Sequence, residues 1–189
     1  MHEREQRMIC EEKRLDMRIP DPESLEEEKR QWQLVFRLNH TLSLTDEYRK
    51  VLKELFGNKL GEGSRVIAPI QGGFFDRIKI GRNVTINSNL LAMAAGGITI
   101  EDDVQIGPNV QLLTSNHDPY ERMLLSCRPI LIKKGAWIGA GATVLPGICV
   151  GAYSIVGAAA VVTADVPDYA VAAGNPARVV RMLDAEQFR

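Results

Sequence analysis

The sequence predicts a mainly β protein: a parallel β-helix of hexapeptide repeats, with a helical segment before the coil and a short helix after it. Three observations carry this prediction. Branched apolar residues recur every six positions at Ile132, Ile138, Val144, Val150, Val156 and Val162, and earlier tracts keep the step at Ile80 and Ile86 and at Ile100, Ile106 and Leu112. The next residue is often glycine, as at Gly81, Gly107, Gly139, Gly151 and Gly157. Four positions after each apolar residue a small or β-branched one often stands, as at Val84, Val104, Val110, Ala136, Ala142, Ser154, Ala160 and Val166. A period of six fits neither a helix nor ordinary alternation. It fits a solenoid in which each hexapeptide gives one strand and one corner, and each coil is stable only against its neighbours.

The period breaks twice, from Ile86 to Ile100 and from Leu112 to Ile132. Breaks in a solenoid are insertions, and insertions carry function. The second holds Ser115-Asn116-His117-Asp118-Pro119-Tyr120. Residues 1–60 read as a helical, substrate-side segment. Asp21-Pro22 is expected to start one helix, with Leu25, Trp32, Val35 and Phe36 as its apolar stripe. A second helix is expected from Thr45 through Tyr48, Leu52 and Phe56 to Gly57. The coil is assigned to 61–167. A tail of 168–189 follows, with turns at Pro167, Gly174 and Pro176 and a short helix from about Arg178.

A net charge of −1 offers no general attraction for nucleic acid or an anionic membrane. Residues 135–164 lack Asp, Glu, Lys and Arg, which suggests a membrane span. Their six glycines and Pro146 follow the hexapeptide rule instead. Cys10, Cys127 and Cys149 share no metal or redox spacing, and the N-terminus is too charged for a signal peptide, so a cytoplasmic location is expected. Of three histidines, His2 and His40 lie outside the coil, so the three imidazoles of a zinc-dependent β-helix hydratase are not available and no metal is expected. With no G-x-S-x-G elbow and no P-loop, a one-histidine mechanism on a pre-activated thioester remains, and His117 is the candidate base.

The chain resembles the galactoside/maltose O-acetyltransferase family of hexapeptide acyltransferases over nearly its whole length. The resemblance is carried by residues 27–30 (Glu-Glu-Lys-Arg), Glu54-Leu55-Phe56-Gly57, Ile80-Gly81-Arg82-Asn83, Ile106-Gly107-Pro108-Asn109-Val110, His117, Trp137-Ile138-Gly139, and the run from Val171 to Val179. It implies a left-handed coil, a homotrimer with active sites between subunits, and transfer of acetyl from acetyl-CoA to a hydroxyl of a sugar or related small polyol. In this resemblance His117 falls on the catalytic base and Asn87 on a residue touching the acceptor and the reacting centre. Asp16 falls on an aspartate that binds acceptor hydroxyls, and Trp137 on an aromatic wall beside the acetyl group, where filling a subunit interface is an equal reading. Ala140 stands for a family serine whose backbone N–H serves the thioester carbonyl. Ala158 and Thr163 lie along the expected pantetheine channel, and Arg178 and Arg181 near the CoA phosphates.

The sequence also departs from the family. Gly73 and Ala95 replace a serine and an aspartate that touch the sugar, Ala164 replaces a lysine near the phosphates, and the His117 loop is shorter. The acceptor half therefore differs from a galactoside site. An amine, serine or antibiotic acceptor, and a non-catalytic trimeric scaffold, remain as alternatives.

Overall fold

The six-residue column folds inward without exception. Ile80, Ile86, Ile100, Ile106, Leu112, Ile132, Ile138, Val144, Val150, Val156 and Val162 are each no more than 2% exposed. The small residues four positions on are buried beside them, Ser154 with its hydroxyl bonded to Gly151 O at 2.7 Å. The structure is a computed structural model that describes residues 12–19 and 22–188.

Three parallel sheets form the prism. The first face stacks Arg65–Val66, Thr85–Ile86, Gln105–Ile106, Trp137–Ile138, Ile155–Val156 and Ala170–Ala173. The second stacks Ile70–Gly73, Leu90–Met93, Gln111–Leu113, Thr143–Val144 and Val161–Val162. The third stacks Ile78–Ile80, Ile98–Ile100, Ile130–Ile132 and Cys149–Val150. The chain passes from first to second to third face in each coil.

The insertions fall on one edge. Ala92 continues the column six residues after Ile86, so the first break is two extra residues between Ala92 and Ile100. Ile106 stacks on Ile138 although 32 residues separate them, against 18 between Ile138 and Val156. That longer insertion also leaves from the edge between the second and third faces. It forms a hairpin, Ser115–His117 against Leu124–Cys127. Lys13–Asp16 adds a third antiparallel strand. This stretch, expected to belong to the helical segment, is drawn into a strand because Leu124–Cys127 offers it an open row of backbone groups.

Helices α1 (Pro22–Asn39) and α2 (Asp46–Phe56) close the end of the apolar column. Asp21, the expected cap of α1, lies outside the described residues. In α2 the Thr45 hydroxyl accepts from Tyr48 N and Gly57 follows at φ 60°, both as expected. Tyr48, Val51, Leu52, Leu55 and Phe56 are buried, and the Tyr48 hydroxyl donates to Val66 O at 2.9 Å. The stripe expected on α1 is corrected. Gln31, Leu34, Val35 and Leu38 are buried, whereas Leu25, Trp32 and Phe36 face outward at 51, 61 and 67% exposure. Gln31 sets this rotation, accepting from Phe75 N at 2.7 Å and donating to Asp76 at 2.6 Å.

Asn39 finishes the open edge of the second face. Its amide donates to Ile70 O at 2.8 Å and accepts from Ile70 N at 2.9 Å, as a neighbouring strand would. Asn39→Ala removes both bonds at a partly buried site, and an expected loss of about 2 kcal/mol is read from chemical denaturation.

At the other end, the helix expected from Arg178 is a strand, Arg178–Met182, antiparallel to Ala170–Ala173. The β-branched Val179 and Val180 suit it, and the last parallel strand needs a partner. Helical backbone is confined to a 3-10 turn, Ala185–Phe188. There Phe188 packs on the stacked rings of Tyr153 and Tyr169, with centroids 5.0 and 5.7 Å away. Among the described residues no helix is long and apolar enough to cross a membrane.

Candidate active site

The candidate residues separate onto the two edges of the second face. Along the edge between the first and second faces, Asn87, Gly107, Gly139, Gly157 and Ala173 stack in register, and Arg178 pairs with Ala173. Five inter-strand steps carry this row roughly 24 Å. One residue further round, Ala140 and Ala158 form the corner. Their carbonyl and amide groups are used unequally: Ala140 O accepts from Ala159 N, yet neither Ala140 N–H nor Ala158 N–H donates to any acceptor among the described residues. At the equivalent corner between the third and first faces, Arg82 N, Lys134 N and Ala152 N are each capped by a carboxylate, of Asp102, Glu101 and Asp168. The Ala140–Ala158 corner therefore keeps main-chain donors free where Arg82, Lys134 and Ala152 spend theirs.

Beside this edge, the outward row of the first face runs Gln105, Trp137, Ile155, Val171 and Arg181. Trp137 is 53% exposed. A bulge in the pairing between Val171 and Ala172 brings Arg178 and Arg181, three residues apart, to the same outward face. Arg178 makes one bond, to Ala177 O, and neither arginine is paired with a carboxylate among the described residues. Both remain available to an anion.

The other edge carries His117 and Thr163. Thr163 follows Val161–Val162 and is exposed, across the second face from Ala158. His117 ends the first strand of the inserted hairpin. Its Nδ1 lies 2.6 Å from Arg122 O. A carbonyl can only accept, so Nδ1 carries the proton and the neutral ring leaves its Nε2 lone pair open. The hairpin turn is braced by Asp118, whose carboxylate accepts from Tyr120 N at 2.8 Å and Glu121 N at 3.0 Å. Those two N–H groups hold the Asp118 carboxyl below its ordinary range.

Within the chain, Asn87, Trp137, Ala140, Ala158, Arg178 and Arg181 thus share one side, while His117 and Thr163 share the other. Asp16 meets neither group. The pairing aligns Leu15 with Leu125 and His117, so Asp16 points to the opposite face of the three-stranded sheet. There Arg18 grips its carboxylate through two bonds of 2.8 Å, which lowers its pKa. The sequence reading did not foresee Arg122, whose carbonyl sets the histidine tautomer: a backbone acceptor leaves no residue-type signal. Two surface depressions, one along α1 and one lined by Glu62, Arg82, Asp102 and Lys134, include none of these groups. Among the described residues no cluster of three or more His, Cys, Asp or Glu side chains is placed to hold a metal.

Three parallel faces wound around an inward six-residue column define the fold of the hexapeptide-repeat class. The chain is 35% identical over 156 residues to the galactoside O-acetyltransferase of Escherichia coli, covering 80% of this chain and 76% of that protein. Its fold superposes with a TM-score of 0.83 on a hexapeptide-repeat acetyltransferase of Vibrio cholerae complexed with acetyl-coenzyme A, at 34% identity over 87% of this chain and 91% of that one. It matches a maltose O-acetyltransferase from Clostridium difficile at 0.82, with 31% identity over 87% of this chain and 90% of that one. A galactoside acetyltransferase in complex with coenzyme A matches at 0.83, with 32% identity over 89% of this chain and 86% of that one. No protein-family model matches. The chain belongs to the galactoside/maltose acetyltransferase family of hexapeptide-repeat proteins, and it is an acetyltransferase.

Proposed function

We propose that the protein transfers the acetyl group of acetyl-CoA to a hydroxyl of a sugar or related small polyol, with His117 as general base. The observation that carries this reading is the bond between His117 Nδ1 and Arg122 O, which directs an open Nε2 lone pair outward. The acceptor hydroxyl gives its proton to Nε2 as its oxygen attacks the thioester carbonyl carbon. The carbonyl oxygen becomes an oxyanion, and the free N–H of Ala140 is the donor for it. Collapse re-forms the C=O bond and breaks C–S, and the departing CoA thiolate takes up the proton held by His117. Asn87 orients the acceptor: its Nδ2 donates to Ile106 O at 3.1 Å, which turns its side-chain oxygen outward as an acceptor.

The pantetheine arm lies along the Ala140–Ala158 edge, with Ala158 N–H as a donor and the CoA phosphates at Arg178 and Arg181. Guanidinium forks suit phosphate. The split of the candidates between two edges supports a homotrimer, in which one copy's His117 and Thr163 face a neighbour's Asn87, Trp137 and Ala140. Asp16, turned from its own His117, would reach an acceptor in the same way, at a neighbour's site.

The test is CoA release from acetyl-CoA, followed with a thiol reagent across sugars, polyols, amines and serine. Release with hydroxyl acceptors supports the reading; release with amines alone reassigns the acceptor, and a lack of both release and acetyl-CoA binding points to the non-catalytic scaffold. Arg178→Ala and Arg181→Ala are each expected to raise the KM for acetyl-CoA about tenfold with kcat little changed. Steady-state kinetics check this, and a loss confined to kcat refutes the phosphate role.

A further inference from the structure

The three-stranded sheet that carries His117 is strongly two-sided. In register, Leu15, Leu125 and His117 form one row across it. Met17 N donates to Met123 O at 2.9 Å, so the pairing runs one row further and places Met17 beside Met123. Alternation then sets Leu15, Met17, Met123 and Leu125 on the imidazole's face. Met17 and Met123 are 45 and 38% exposed. The paired charges occupy the reverse face, where Arg18 pairs with Asp16 and Arg128 with Glu12 at 2.8 Å each, and on the imidazole's face the one charged strand residue is Lys13, in register with Cys127 at the far end from Met17 and Met123.

The solenoid strand ends from which the hairpin leaves are apolar as well, with Gln71 and Gln111 two residues back in the same strands. Gly73, Met93 and Leu113 stack in register beneath the hairpin. The Thr114 hydroxyl there is already spent, donating to Met93 O at 2.6 Å and accepting from Gly96 N at 2.8 Å.

We infer that the sugar or polyol acceptor turns a face of C–H carbons, free of further hydroxyls, beside its reacting hydroxyl, and that this face rests on the shelf of Leu15, Met17, Met123 and Leu125. The inference rests on His117 acting as base for a hydroxyl acceptor. A ring bearing hydroxyls on every carbon would lay several of them against methyl and thioether groups with no partner, losing their bonds to water. A methylene or methyl in the same place gains by burial. A second copy seated flush on the shelf would bury the imidazole that the reaction needs exposed. The copy that supplies Asn87 and Ala140 must leave the shelf to the acceptor.

The experiment uses the full chain, saturating acetyl-CoA and acceptor pairs matched in skeleton: cyclohexanol against myo-inositol, 1-butanol against glycerol, 6-deoxygalactose against galactose. The expected kcat/KM favours the less hydroxylated member by tenfold or more. Met17→Gln combined with Met123→Gln is expected to erase that preference while the KM for acetyl-CoA stays unchanged; both side chains are half-exposed, so the fold tolerates the change. Turnover that depends on His117 but prefers the polyols, or a preference the double variant leaves intact, overturns the shelf and keeps hydroxyl transfer standing. No His117-dependent release of CoA with any alcohol overturns hydroxyl transfer and the shelf with it.

Discussion

His117→Ala is expected to lower kcat by about 10²–10⁴-fold, the range that a positioned general base contributes. Its thermal midpoint is expected to match the parent's. The two halves of this expectation come from the same observation. The imidazole is exposed and its one hydrogen bond is to a carbonyl of its own turn, so removing it opens no core cavity. The brace of the turn is Asp118, which the substitution leaves in place. Chemistry and folding are therefore separable at this position. The measurement is kcat at saturating acetyl-CoA alongside calorimetry, with added imidazole as a control expected to restore part of the rate. A variant that keeps near-full turnover would remove His117 from the mechanism. A variant that loses activity together with several degrees of stability would make its role structural.

Gly139→Ala is expected to destabilise the coil by about 3 kcal/mol or more, while Gly141→Ala, two residues on, costs about 1 kcal/mol. A Cβ at Gly139 would fall 2.6 Å from Ala158 N and 2.8 Å from Val156 O, both backbone atoms of the next coil. Neither can rotate away, and stacked strands hold a spacing of about 4.8 Å. Relief requires the coils to part at the corner that carries the free N–H groups of Ala140 and Ala158. A Cβ at Gly141 meets nothing within 4 Å, and its φ of +69° is the remaining cost. Ala159 holds φ 56° at the stacked position in the next coil, so this corner already accepts an alanine. Urea midpoints of the two variants give the comparison, and equal losses would show that coil contact is not what selects glycine at 139. Survivors of Gly139→Ala are expected to show a raised KM for acetyl-CoA, because the displaced corner carries Ala140 and Ala158.

The same pair shows how sequence and structure divide the explanation of the glycines. Their place in the hexapeptide is visible as a repeat, and positive φ is the natural first reason for them. In Gly81, Gly107, Gly139 and Gly151 the operative reason is the next coil's backbone, within 3.0 Å of an added Cβ, whereas at Gly157 an added Cβ would meet the Ala173 side chain at 3.0 Å. The left-handed corners lie two residues further on and are filled by Asn83, Asn109, Tyr153 and Ala159 as well as glycine.

Elsewhere the limits of the sequence have local causes. The rotation of α1 turned on Gln31, a polar side chain whose burial is satisfied only because Phe75 N and Asp76 come to meet it. No apolar stripe announces such a contact, and Trp32 and Phe36 drew the stripe to the wrong face. The tail at Arg178 has helical neighbours in composition, yet an open sheet edge with a vacant row of backbone groups took it as a strand.

By itself, then, the sequence determined the solenoid, its inward column, its two breaks and the isolation of His117. Each of these is written in a short period or a residue count, because every coil repeats the same contacts with its neighbours. The tertiary structure alone decided which groups face one another. Stacking separates Asn87 and Ala140 from His117 by the width of a face, turns Asp16 away from the imidazole, and lines up Leu15 with Leu125 and His117 of the distant hairpin. Those relations depend on strand register and on which edge an insertion leaves, and neither quantity is local in sequence.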